Sequence, residues 1–182
     1  MGMRLAAALF LALTPTLLAQ IPQQPMAAGT DHAKPPVPPS HSLNVTFQSH
    51  TLTLKVDDLL ALPQVTVHVH NAHRNADETY TGPRLSDVLA KAGLVASKDT
   101  EPLILHSSVI ATGTDHYFVL YSAAEVEPMF STGQVIVAVM KTGLPNTEGS
   151  NIQLINTDAA RPARWVHGLS DINVMTAAQT SR

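Results

Sequence analysis

Residues 80–94 read Tyr-Thr-Gly-Pro-Arg-Leu-Ser-Asp-Val-Leu-Ala-Lys-Ala-Gly-Leu and contain the clearest helix signal in the chain. Pro83 suits the start of a helix, and Gly93 suits the position just past its end. The apolar residues between them recur at i, i+3, i+4 and i+7, as Leu85, Val88, Leu89 and Ala92. Because this spacing puts them on one face, the segment predicts an amphipathic helix packed on a core.

Short segments with a two-residue apolar repeat surround this helix and predict strands. The predicted strands cover residues 43–47 and 52–54, which form a hairpin, and then 65–69, 103–110, 117–121, 135–140, 152–155 and 164–174. Two further short helices are predicted, at residues 58–62 and 122–129. The run 135–140 is almost continuously apolar, which is typical of a central strand buried on both faces. Because short strands outnumber helices and no βαβ repeat occurs, we predict a single mixed, sheet-rich α+β domain over residues 42–175.

Both ends of the chain differ from this domain in composition. Residues 1–19 carry Arg4 before a short apolar run and end in Leu-Leu-Ala, which is the pattern of a cleaved signal peptide. Residues 20–41 are rich in proline and predict an extended, disordered tether, whereas residues 176–182 predict a flexible tail. No second long apolar stretch follows, so we expect a periplasmic or secreted protein that is not integral to the membrane.

The composition excludes several classes of function. The chain has no cysteine, which excludes disulfides, Fe–S clusters, thiolate zinc sites and covalently attached c-type haem. Its formal net charge of −3 provides no electrostatic basis for binding nucleic acid.

Three segments, in order, resemble the molybdopterin-binding domain of the sulfite oxidase family: residues 65–74, 80–94 and 164–174. The resemblance implies that family's fold, a pterin pocket and an oxidoreductase-like protein. In catalytic members the first segment ends in a Cys-Ala-Gly-Asn-Arg-like run whose thiolate binds molybdenum. Here the aligned run is His-Asn-Ala-His-Arg at residues 70–74, and a one-residue shift would put Val69 at the cysteine position instead. The missing thiolate argues against sulfite oxidation, and the sequence leaves open whether the chain is an enzyme.

The resemblance and the residue types together suggest a cofactor-binding set that would hold a pterin or another small anion. This set is His70, Asn71, His73, Arg74, Asp115, His116, Arg161, Arg164 and His167. Guanidinium groups match phosphate oxygens in a bidentate fashion, and Arg84 near a helix start would add its charge. The alternative interpretation is that the arginines are unrelated surface residues and that the turn at residues 115–117 only bonds its own backbone.

A second candidate site is a run of histidines. His68 and His70 are two residues apart on a predicted strand, so both imidazoles project from the same face. This spacing suits joint binding of one Zn, Cu or Ni ion, and His73 in the following turn would provide a third ligand. The alternatives are a solvated polar face, contact with a pterin, or pH sensing, because imidazole titrates close to physiological pH.

Three functions are compatible with these features. The first is an exported molybdopterin-binding-type oxidoreductase domain, with His70 or solvent in place of the thiolate. The second is a non-catalytic periplasmic binding module that uses the same pocket, and the third is a histidine-based protein that binds Zn or Cu. Convergence of His70 and the arginines on one pocket would favour the first hypothesis, and their scattering over the surface would count against it.

Overall fold

A parallel pairing joins the first and last strands of the domain. The computed structural model describes residues 36–147, 151–159 and 161–177. Strand β1 (Ser42–Phe47) lies between β2 (His50–Lys55), to which it is antiparallel, and β12 (Leu169–Thr176), to which it is parallel. Two more antiparallel strands, β5 (Ser107–Gly113) and β6 (Phe118–Ser122), complete a mixed five-stranded sheet in the order β2-β1-β12-β5-β6.

The alternation of β1 explains why this sheet has one apolar face. Leu43, Val45 and Phe47 are buried while the residues between them are partly exposed. Their partners on β12 follow the same rule, with Val45 beside Ile172 and Phe47 beside Val174. A shift of one residue would turn every one of these side chains to the solvent face, so the apolar pattern fixes the register.

The residues just before β1 contact this sheet. The Ser40 hydroxyl is buried and donates to the carbonyl of Leu169 at 2.6 Å. The Thr114 hydroxyl donates to the carbonyl of Pro38 at 2.6 Å. These contacts involve the end of the predicted proline-rich tether, whereas residues 1–35, which include the predicted signal peptide, lie outside the described residues.

Two smaller sheets form the other side of the domain. The first has the order β3-β4-β8-β9 and consists of β3 (Gln64–Asn71), β4 (Ala76–Pro83), β8 (Met140–Lys141) and β9 (Leu144–Pro145). The second has the order β11-β10-β7 and consists of β7 (Val135–Ala138), β10 (Gln153–Asn156) and β11 (Val166–His167). A single bridge between Arg84 and Ile136 joins the end of β4 to β7.

Short helices connect the strands. They are α1 (Val56–Leu60), α2 (Leu85–Lys91), α3 (Glu101–Leu105), α4 (Ala123–Val126) and a 3₁₀ turn at Pro162–Arg164. Helix α2 buries Leu85, Val88 and Leu89 in the main apolar core, beside the buried face of β1. No helix in the described part of the chain is long and apolar enough to cross a bilayer.

The sequence predicted much of this architecture. The structure is sheet-rich with mixed sheets, as expected for an α+β domain. The hairpin at the start of the domain and the helix after Pro83 are both present, and Val135–Ala138 is a fully buried strand.

Several predicted elements were wrong in extent. Leu103–Leu105 belong to helix α3 and not to a strand, because Pro102 favours the first turn of a helix. The prediction failed because a short apolar run fits either a strand or a helix. The predicted strand over residues 164–174 is interrupted at Gly168, whose φ of +57° turns the chain between β11 and β12. Strand β4 was missed altogether. The predicted helices at 58–62 and 122–129 are Val56–Leu60 and Ala123–Val126.

Gly82 is required where β4 crosses β7. A Cβ atom at this position would lie 2.0 Å from the carbonyl oxygen of Val137, which is backbone and cannot rotate away. We expect Gly82→Ala to lower the free energy of unfolding in urea by about 3 kcal/mol. The control is Gly143→Ala, where φ is +75° but no atom lies within 4 Å of the added Cβ, and where the loss should be about 1 kcal/mol. A smaller loss for Gly82→Ala than for Gly143→Ala would contradict this account.

Candidate functional site

The two faces of β3 carry different chemistry. Val67, Val69 and Asn71 point inward and are buried, whereas His68 and His70 point outward and are exposed. Strand β4 pairs with β3 so that Glu78 lies beside Val69 on the inner face. The strand alternation therefore separates the predicted histidines from the buried polar residues on the same hairpin.

Asn71 ends β3 and shapes the turn to β4. Its side-chain carbonyl accepts the backbone N–H groups of His73 at 3.1 Å and Arg74 at 3.3 Å, which is the bonding typical of an Asx turn. Asn75 completes the turn with a φ of +49°. The amide nitrogen of Asn71 then donates to Glu78 Oε2 at 2.9 Å. One side chain thus both closes the turn and contacts the buried carboxylate.

Glu78 is the centre of what we call the inner polar cluster, defined as Asn71, Arg74, Glu78, Tyr80, Lys141 and His167. The Tyr80 hydroxyl donates to Glu78 Oε2 at 2.8 Å, and Lys141 Nζ lies 2.8 Å from Glu78 Oε1. Burial alone would raise the pKa of Glu78, but the hydrogen bonds it accepts, first that from Lys141, outweigh this effect and hold its pKa below 4.5. Glu78 is therefore ionised at neutral pH.

Two aromatic rings support this carboxylate. Tyr80 packs edge-to-face on Trp165, with ring centroids 6.0 Å apart, and Lys141 Nζ lies 5.6 Å from the Tyr80 centroid. The Trp165 indole N–H donates to the carbonyl of Asn156 at 3.0 Å. Burial and the adjacent Glu78 raise the pKa of Tyr80 to about 12, so its hydroxyl remains a donor. The rings fix the position of the hydroxyl that Glu78 accepts.

His167 approaches the cluster from β11. Its Nε2 atom lies 3.5 Å from the side-chain nitrogen of Gln153, its partner on β10. Burial lowers the pKa of His167 below 6.5, and the positive charge of Arg74 acts in the same direction, whereas Asp115 opposes it. The imidazole therefore favours its neutral form at pH 7, and it lies within electrostatic range of Arg74, Glu78 and Asp115.

The structure brings together only part of the predicted cofactor-binding set. Asn71, Arg74 and His167 belong to the inner polar cluster, and Asp115 is close enough to influence His167 electrostatically. Arg74 extends to Glu78 at 3.6 Å and its side chain is about half exposed.

The remaining candidates lie elsewhere. His70 is on the outer face of β3, with its Nδ1 2.8 Å from Asp77 Oδ1. Arg164 binds Glu125 at 2.6 Å and stacks over the Tyr121 ring, 4.3 Å from its centroid. The other three, His73, His116 and Arg161, are exposed. His70 and Arg164 therefore do not join Arg74 in the inner polar cluster.

The three-histidine arrangement is also not formed. In the part of the chain that the structure describes, no three or more His, Cys, Asp or Glu side chains are grouped so as to hold a metal ion. His68 and His70 share the outer face of β3, whereas His73 lies in the turn that follows.

Sequence reasoning missed Glu78, Tyr80 and Lys141, which form the centre of the cluster. The signal was present in β4, where residues 77, 79 and 81 are polar and Glu78, Tyr80 and Gly82 form the other, buried face. Tyr80 also opens the segment 80–94 that predicts a helix, and this overlap hides the alternation. Lys141 follows the apolar strand β7 and gave no pattern of its own.

These features define a sheet-rich α+β domain with a buried polar cluster, and one solved structure has a similar fold. The fold is similar to that of the sulfane dehydrogenase SoxCD from Paracoccus pantotrophus, with 16% sequence identity and a TM-score of 0.56 over 74% of this chain. The similarity spans 38% of the SoxCD chain, and at this identity it shows the fold alone. No family model and no curated protein matches the chain.

The residues present do not fit molybdenum in the way that the family resemblance implies. High-valent molybdenum in that family takes a thiolate, and the chain has no cysteine. Of the two aligned residues, His70 faces away from the inner polar cluster and Val69 has no ligand atom. The first inward-facing polar side chain is Asn71, whose amide is committed to the turn and to Glu78.

Breaking the ion pair between Glu78 and Lys141 should lower the free energy of unfolding. Glu78→Gln leaves the ammonium of Lys141, which is only 17% exposed, beside a neutral partner, and should cost about 3 kcal/mol. Lys141→Met should cost a similar amount. The double variant should lose clearly less than the sum, because it contains no unpaired buried charge. The measurement is urea unfolding at pH 7, and additivity within about 0.5 kcal/mol would contradict the coupling.

His167 should make the protein less stable in mild acid. The unfolded chain binds a proton near the ordinary pKa of 6.5, whereas the folded protein binds it only at lower pH. Stability therefore falls as the pH drops below 6.5, because the unfolded state then holds more protons. We expect the unfolding free energy of the His167→Gln variant to fall less than that of wild type between pH 7 and pH 5.5. The exposed His50→Gln variant is the control and should keep the wild-type change. An unchanged slope in His167→Gln would rule this out.

Proposed function

We propose that this chain is an exported, non-catalytic binding module with an oxidoreductase-like fold, and that it binds a small anion at the inner polar cluster. One observation carries the proposal: Arg74 and Lys141 both pair with one buried carboxylate of the β3–β4 hairpin, and His167 lies near enough for their charges to act on it. Clusters of guanidinium, ammonium and imidazole groups are typical of sites for phosphate and other oxyanions.

The charges of the cluster predict how binding depends on pH. Arg74 and Lys141 are positive and Glu78 is negative, and the carboxylate of Asp115 is close enough to act on His167. These four charges cancel while His167 is neutral, so protonation of His167 creates a net positive charge. An anion therefore binds most favourably together with a proton.

The exposed part of the cluster is where a ligand would enter. The Arg74 side chain is 52% exposed, and its planar guanidinium carries five N–H donors that suit the oxygens of a phosphate or sulfate group. A pterin that ends in a phosphate is one ligand of this kind. The resemblance to the sulfite oxidase family supports a pterin as the ligand. The predicted signal peptide supports a location outside the cytoplasm.

Trp165 offers a direct measurement of binding. It is the only tryptophan of the chain and packs on Tyr80, which bonds Glu78. We expect inorganic phosphate, sulfate or molybdate to change its fluorescence in a saturable way, with affinity at least about tenfold higher at pH 5.5 than at pH 8. Such a factor corresponds to about 1.4 kcal/mol of coupling between proton and anion.

Variants separate a specific site from general charge effects. Arg74→Gln should abolish the response, and His167→Gln should remove its pH dependence. Lys91→Gln is the control, because it removes one positive charge from the exposed end of α2. An equal loss in Lys91→Gln, or no saturable response to any of the three anions, would overturn the proposal.

The cofactor hypothesis is tested on the same protein. The full chain, exported from cells supplied with molybdate, should contain no stoichiometric molybdenum, because it lacks the thiolate. Elemental analysis combined with fluorescence of oxidised pterin distinguishes the outcomes. Pterin without metal would identify the anion as the phosphate end of a pterin, whereas near-stoichiometric molybdenum with pterin would overturn the non-catalytic assignment.

A further inference from the structure

We propose that the outer face of the β3–β4 hairpin binds one divalent transition-metal ion through Nε2 of His68 and Nε2 of His70. This site lies on the side of the hairpin opposite the inner polar cluster. It is therefore independent of the anion site, and either proposal can fail without the other.

The strand geometry brings the two imidazoles to the same face. Residues two apart on a strand project in the same direction, with α-carbons about 6.8 Å apart. Both histidines are exposed, and the His70 side chain is 56% exposed. An imidazole extends several ångströms from its α-carbon, so two imidazoles at this spacing are able to reach one ion at the usual metal–nitrogen distance of about 2.1 Å.

The cross-strand partners prepare both rings for this role. His68 Nδ1 lies 2.9 Å from the hydroxyl of Thr79, and His70 Nδ1 lies 2.8 Å from Asp77 Oδ1. Asp77 and Thr79 stand directly opposite His70 and His68 in the register of the hairpin. A carboxylate that accepts the Nδ1–H of a neutral histidine leaves the lone pair on Nε2, which is the arrangement found around many metal-bound histidines.

The number and type of ligands determine which metal is preferred. Two neutral imidazoles with an adjacent carboxylate suit borderline cations, and affinity for such sites rises toward Cu²⁺ in the divalent series. His73 is not grouped with the pair, so solvent completes the coordination. We therefore expect Cu²⁺ to bind more tightly than Ni²⁺ or Zn²⁺, because the affinity of nitrogen ligands for divalent metals is highest for Cu²⁺.

The test is calorimetric titration of the untagged full chain with CuCl₂, NiCl₂ and ZnCl₂, together with electron paramagnetic resonance of the Cu²⁺ complex. We expect one Cu²⁺ per chain and a spectrum with two nitrogen ligands. His68→Gln and His70→Gln should each weaken binding more than tenfold. Asp77→Asn should weaken it by about tenfold, since it removes only the support of His70.

Two control variants identify which histidines are responsible. His50→Gln removes an exposed histidine from β2, and His73→Gln removes the one nearest in sequence; both should bind Cu²⁺ within about twofold of wild type, since neither is a ligand of the proposed site. Because all these positions are exposed, unfolding curves should match wild type and confirm that the variants fold. Retained binding in the His68→Gln and His70→Gln variants, or an equal loss in His73→Gln, would overturn the site.

Discussion

A buried carboxylate organises this side of the protein. An ionised group inside a protein is unfavourable unless every oxygen finds a partner, and Glu78 meets that requirement with donors from three places along the chain. Asn71 donates from the turn between β3 and β4, Tyr80 donates from the same strand as Glu78, and Lys141 donates from the short strand β8. Because each donor is held in turn by other contacts, moving the carboxylate would disturb the hairpin and the small sheet together.

The same carboxylate also limits what the site can do. Glu78 partly neutralises Lys141 and Arg74, so the cluster carries no large excess of positive charge. In the proposed anion site, protonation of His167 would add the positive charge that favours an anion. A cluster without this titratable member would keep the same balance of charges in mild acid.

The sequence predicts those elements whose apolar spacing is complete within the segment itself. It does not predict elements whose buried side is defined by another strand packed against them. The helix over Leu85–Lys91 follows from apolar spacing and punctuation within the segment itself. Strand β4 has only weak apolar character, and its inner face consists of Glu78, Tyr80 and Gly82, so its buried side is recognisable only once Lys141 and Val137 lie against it. Leu103–Leu105 show the opposite case, since three apolar residues fit a strand or a helix equally well. For the site, Asn71, Arg74 and His167 were predicted, but their centre was not, because Lys141 meets Glu78 across 63 residues of sequence.

The alternation of β3 determines which face of the hairpin each polar side chain occupies. On a strand, moving a functional group by one residue moves it to the opposite face. The run at residues 70–74 starts with an outward histidine, so the side chain aligned with a metal-binding cysteine cannot reach the inner polar cluster without breaking the pairing with Asp77. The inward position next to it is Asn71, an amide that the turn requires. A cysteine substituted at residue 70 would therefore lie on the solvent face, opposite Asp77. The hairpin thus keeps its two polar groups apart, with the hydrogen-bonded carboxylate of Glu78 on the inner face and the imidazoles of His68 and His70 on the outer face.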